Sequence, residues 1–184
     1  MLPALEAWQN FYVIVGSSAG ALTGLQFVVV ALVSDLPDPS GFSRTSATFA
    51  TPTVVHFGAV LVLSGLFSAP WPSVASLMVV VGIAGVAGLG YTLAVASRVR
   101  KTTEYAPVFE DWLTHVLLPA AAYLVLAIAA LEGTSHPAGA LFAMAASAMV
   151  LLVVGIHNAW DSVTYIVAKR GSQEKAQHRR DRHR

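Results

Sequence analysis

Residues 138–168 read AGALFAMAASAMVLLVVGIHNAWDSVTYIVA. A helix rises about 1.5 Å per residue, so this segment would extend roughly 46 Å. The hydrocarbon core of a bilayer is about 30 Å thick and needs about 20 mostly apolar residues to cross it. The run is therefore long enough to span a membrane and emerge on the far side. Its second half carries His157, Asn158 and Asp161. Helical spacing puts His157 and Asp161 on one face, one turn apart, with Asn158 beside them. Ionisable groups in a transmembrane helix are rare and usually face a bundle interior or water. Trp160 marks an interfacial level, which places Asp161 at the boundary and His157 deeper.

The remaining chain matches this segment in character. Hydrophobic residues make up 55% and charged residues 11%. A soluble domain carries about 25% charged residues, so the expected class is an all-α polytopic membrane protein. Cysteine is absent. That excludes a disulfide framework, a thiolate metal site and a cysteine nucleophile. The N-terminal region lacks a basic flank and a small-residue cleavage site after a short apolar core, so the first helix reads as a retained span. The Ala-rich composition suggests a bacterial plasma (inner) membrane.

Five segments are expected to span: about 11–33, 52–69, 74–97, 112–131 and 138–168. The polar turn from Asp35 to Ser40 separates the first two. Pro70-Trp71-Pro72 cannot continue a helix. The charged stretch from Arg98 to Pro107 and the short polar loop from Glu132 to Pro137 make the other breaks. The basic residues set the orientation. With the N-terminus outside, Arg44 lies in the first inner loop, and Arg98, Arg100 and Lys101 lie in the second. Lys169, Arg170, Lys175, Arg179, Arg180, Arg182 and Arg184 then lie in an inner C-terminal tail. All eleven Lys and Arg are cytoplasmic in this N-out, C-in arrangement. The domain boundaries are 1–168 for a five-span bundle and 169–184 for a basic tail, expected to be disordered. The tail could rest on anionic lipid headgroups at about 1 kcal/mol per basic residue, or merely enforce topology.

The first helix carries Gly16, Gly20 and Gly24 at four-residue spacing, and the third carries Gly82, Gly85 and Gly88. Such stripes let two helix backbones approach closely in lipid, within one protomer or between copies of a homo-oligomer. The segment FYVIVGSSAGALTGLQFVVVAL, from Phe11 to Leu32, resembles the first helix of a family of short, uncharacterised bacterial inner-membrane proteins. That resemblance implies a membrane location and carries over no catalytic residue.

Counting from the helix ends places His56, His115, His157 and Gln26 at one level, toward the cytoplasmic side. Two pairs lie four residues apart: Asp111 with His115, and His157 with Asp161. Pro119 cannot donate to the carbonyl of His115, so that carbonyl is freed and a kink is expected. The expected site is a polar cavity of His56, Asp111, His115, His157, Asn158, Asp161 and Gln26. Three chemistries fit these residue types. A divalent transition metal would take His56, His115 and His157 as candidate ligands, with Asp111 and Asp161 beside them, and would permit hydrolysis. Proton or ion handling would use the His and Asp side chains, in a channel or transporter lined by an oligomer. A hydrogen-bond network would fix helix register in a scaffold or modulator of a membrane partner. Acids at Glu110 and Asp111 are equally explained by the helix dipole. No Ser-based triad, phosphate loop, dinucleotide fingerprint or nucleic-acid module is present, so no catalytic residue is assigned and no nucleic-acid partner is expected.

Overall fold

The computed structural model describes residues 3–34, 42–101 and 109–182. They form helices α1 (Pro3–Glu6), α2 (Gln9–Ser34), α3 (Phe42–Ser68), α4 (Val74–Lys101), α5 (Phe109–Trp112), α6 (Leu118–Glu132) and α7 (Pro137–Arg182). A π-helical turn, Leu113–Leu117, joins α5 to α6. No strand occurs among the described residues. The segments Gln9–Ala31, Val74–Arg98, Leu113–Glu132 and Pro137–Thr164 are long and apolar enough to cross a membrane, and Pro52–Ser68 is a shorter apolar stretch.

The helix ends follow local chemistry. Ser73 caps α4, its Oγ accepting from the Ser76 backbone N–H at 3.1 Å, which satisfies one orphan donor of the first turn. At the end of α3, Trp71 Nε1 donates to the Leu66 carbonyl at 2.6 Å. That bond satisfies a last-turn carbonyl just where Pro70 and Pro72 can offer no N–H.

Packing is antiparallel between neighbours. The order across the bundle is α2, α3, α7, α6, α4, so α7 is held between α3 and α6. Small residues set two of these seams. A side chain on Gly16 of α2 would collide with Ser64 of α3 at 2.6 Å. Along α4, Gly82 faces Ala130, Gly85 lies against the backbone of Ala127, and Gly88 receives the ring of Tyr123. Both glycine stripes thus meet partners inside one protomer, although Gly24 has open space around it. The buried core is apolar and aromatic, with Phe57, Val60, Leu77, Val81, Met144 and Leu151 fully enclosed. The outside is apolar as well: Ile14, Phe27, Val79, Ile83, Val86 and Val153 are all more than half exposed. A bundle that is apolar within and without is built for lipid, since water would penalise that outer surface.

Two expectations need correcting. Helix α7 does not end at Ala168 but runs on through Gly171 to Arg182. The tail is rich in Gln, Glu, Lys, Ala and Arg, all good helix formers, and the costly nucleus already exists upstream. Charge density alone favours disorder in such a tail, yet propagation from a formed helix needs little further drive. The second correction concerns Pro119. The expected kink takes the form of the π-turn, in which the Leu118 N–H bonds to the Leu113 carbonyl five residues back. Widening the turn moves the His115 carbonyl away from the proline ring, which would clash with it in regular α geometry.

Candidate polar site in the bundle interior

The expected single cavity resolves into an interior group and a rim. The interior begins on α3, where Thr53 and His56 are buried. His56 Nδ1 lies 3.2 Å from the hydroxyl of Tyr123 on α6. The Tyr123 ring is seated against Gly88 of α4, which has no Cβ to obstruct it. Tyr91, one turn further along α4, presents its ring edge to His56 with centroids 6.5 Å apart. Three helices therefore fix the one imidazole: α3 carries it, α6 bonds it and α4 supports its partner.

The π-turn supplies the next two groups. Thr114 and His115 are consecutive in sequence and both buried. The Thr114 hydroxyl donates to the Glu110 carbonyl at 3.0 Å. Its Oγ1 also lies 3.1 Å from His115 Nδ1. The Thr114 hydroxyl thus stands between the Glu110 carbonyl and the His115 ring, within hydrogen-bond distance of both. His115 is within electrostatic range of His56. Helix α7 adds Asn158, which is 1% exposed. Gly155, one turn before it, takes the ring of Phe57 at 2.5 Å from where a Cβ would stand. Among the described residues no partner bonds His56 Nε2, Asn158 Oδ1 or Asn158 Nδ2.

The rim lies on the other face of α7. His157 Nε2 is 3.1 Å from Asp161 Oδ2 and 3.7 Å from Glu110 Oε1. These side chains are 36%, 52% and 69% exposed, respectively. The 3.1 Å approach has ion-pair distance, but its angle does not make a hydrogen bond. Arg100 sits over the Trp112 ring at 5.7 Å nearby.

Of the expected site residues, His56, His115 and Asn158 are each buried in the bundle, and His157 stands beside Asp161 at a more exposed rim. Gln26 is buried on α2, at the flank of the bundle. The Asp111 side chain lies outside the described residues. No three His, Asp or Glu among the described residues converge as a metal would need. Sequence reasoning missed Tyr123 and Tyr91, and it explained Glu110 by the helix dipole alone. Tyr123 stands in the run Ala120 to Ala127 with no polar neighbour to flag it. Its only signal is Gly88 on another helix, the gap that fits its ring. No protein-family model, curated protein or solved structure matches the chain.

Proposed function

We propose that this is a five-span protein of the bacterial plasma membrane, N-out and C-in, that acts as a scaffold or modulator of a membrane partner. The observation that carries this reading is how the polar groups are used. His56 is bonded to Tyr123, and Thr114 bridges His115 to the backbone. Beyond them toward the α3–α4 turn, Phe57, Val60, Met144 and Leu151 fill the bundle with fully buried apolar side chains. The polar side chains buried in that layer among the described residues are the uncharged hydroxyls of Ser64 and Ser147, the latter bonded to the Ala143 carbonyl of its own helix, whereas interhelical polar bonds averaging about 0.6 kcal/mol suffice to fix helix register. The topology rests on the basic residues. Pro52–Ser68, although short, would complete the fifth crossing as part of the 27-residue α3. The helical, basic extension of α7 would lie near anionic headgroups.

Cysteine is absent, so single cysteines report topology without a background. Ser135→Cys is expected to react with an impermeant thiol reagent in whole cells, and Ser172→Cys only after permeabilisation. The reverse pattern overturns the orientation. Function is tested by flux in proteoliposomes. The scaffold reading expects no proton or ion flux above empty vesicles. A flux abolished by His56→Phe would replace it with ion or proton handling, the second reading, whose support is the set of unpartnered atoms on His56 and Asn158.

A further inference from the structure

Two buried side chains, His56 on α3 and Asn158 on α7, carry three polar atoms with no partner among the described residues: His56 Nε2, Asn158 Oδ1 and Asn158 Nδ2. Both side chains are 1% exposed. Their relative level follows from packing. Phe57 lies on Gly155, α3 and α7 run antiparallel, and His56 and Asn158 sit one and three residues from that contact in the same direction along the bundle. The two residues therefore share one level of the bundle, within about 5.4 Å along the axis. Either tautomer of His56 leaves Nε2 unsatisfied, as a donor if Tyr123 donates to Nδ1 and as an acceptor if it does not.

An unpaired buried donor or acceptor is costly, and native interiors answer nearly all of them. The chemistry of the site limits what can answer these. No Asp, Glu, Lys or Arg is among the buried residues described. A bare cation or anion would find no opposite charge there, and burying it would cost far more than it gained. Around His56 stand Tyr123 on α6, Tyr91 on α4 and His115 on the π-turn, all able to be neutral hydrogen-bonding groups. The ligand that fits is small, neutral, and both donor and acceptor. A buried water makes about three hydrogen bonds, enough to answer the open atoms of His56 and Asn158; the Tyr91 hydroxyl is likewise without a partner among the described residues.

We propose that His56 and Asn158 form a built binding site for internal water in the α3–α7 seam. The proposal rests on reading the interior polar groups as one network, and it extends that network from α6 across to α7. Water would complete the connection Tyr123–His56–water–Asn158, tying three helices together by hydrogen bonds through one small molecule. Asn158 is then the positioning residue for the water. Its neighbour His157 points to the rim and takes no part.

The test is hydroxyl-radical labelling by X-ray radiolysis, with the full-length protein in lipid nanodiscs, because radicals formed from internal water mark the side chains that touch it. His56 and Phe57 are expected to be labelled despite their burial. Asn158→Leu, which keeps the branching pattern but removes the polar amide, is expected to reduce that labelling several-fold and to lower Tm by about 2–4 °C. Background labelling of His56 and Phe57 in the wild type overturns the proposal, as does labelling unchanged in Asn158→Leu. A rise in Tm for Asn158→Leu also overturns it, since leucine stabilises only where the amide stood dry. If the leucine variant does not fold, Asn158→Val removes the amide while still filling the space, and the wild-type labelling decides independently. Dry labelling with no proteoliposome flux leaves the scaffold reading standing while ending this one. A flux abolished by His56→Phe ends the scaffold reading and leaves the water site intact.

Discussion

The two ends of the bundle are held by different means. At the end beside the α3–α4 and α6–α7 turns, Tyr12 stacks on Phe67 with centroids 4.2 Å apart and planes 4° from parallel. Trp8 meets Phe142 edge-on at 4.7 Å, and Phe11 meets Tyr12 at 5.0 Å. Leu5 of α1 is buried beneath this cap. At the other end, contact area gives way to specific bonds on His56, Tyr123, Thr114 and His115. The aromatic end is tolerant of rotation, because ring packing is broad and each pair adds about 0.5–1.5 kcal/mol. The polar end admits one register, because a shifted imidazole loses its partner outright. The comparison teaches that close packing and register are specified at separate places along the same helices.

The largest expected effect tests the aromatic end. Phe67→Ala removes the ring stacked on Tyr12, and a buried Phe→Ala change costs about 3–5 kcal/mol. Thermal unfolding in detergent should show a lower Tm, with the His56–Tyr123 contact intact by NMR or cross-linking. Loss of that contact together with stability would mean that the two ends are not separable.

Next comes the joint between packing and register. Gly88→Ala would push a methyl group into the Tyr123 ring, and overpacking of this kind costs about 1–3 kcal/mol. Gly24→Ala meets nothing within 4 Å and should be neutral. The discriminating variant is the double change Gly88→Ala with Tyr123→Leu, in which the glycine substitution should cost far less than alone. An equal cost in both backgrounds would show that the ring is not what Gly88 accommodates.

Legibility in the amino-acid sequence divides along the same line. The apolar runs are legible because lipid demands about 20 residues of them and proline or charge must interrupt. The expectation of a common level for His56, His115, His157 and Gln26 rests on the fixed rise of a helix. Rotation about each helix axis is not encoded in the sequence of that helix alone. The sequence therefore does not say that Asn158 turns inward while His157 turns out, or that Tyr123 reaches His56. The glycine stripe of α4 announces a close approach but not its partner. Pro119 announces a freed carbonyl but not the π-turn that relieves the clash.

The polar end should yield a smaller, more specific signal. Tyr123→Phe deletes one hydroxyl and leaves the rest of the ring on Gly88. A double-mutant cycle with His56→Leu is expected to give a coupling of about 0.6 kcal/mol, and not above about 1.7. A coupling of zero would make the 3.2 Å contact incidental and would move the specification of register to the π-turn.

The smallest effect belongs to the rim. Asp161→Asn removes the carboxylate 3.1 Å from His157 Nε2, a contact that is about half exposed and should contribute less than about 0.5 kcal/mol after solvent screening. Added salt should shrink the difference further. The pair links successive turns of α7, while the 3.7 Å contact to Glu110 reaches from α7 to α5. Glu110→Gln therefore asks whether the rim fastens α5 to the bundle. If it does, hydrogen exchange of the Leu113–Leu117 amides should rise in Glu110→Gln and not in Asp161→Asn. Equal exchange in both would assign the π-turn its stability from Pro119 and the buried Thr114–His115 pair alone, and would leave the rim as a solvated edge of the polar end.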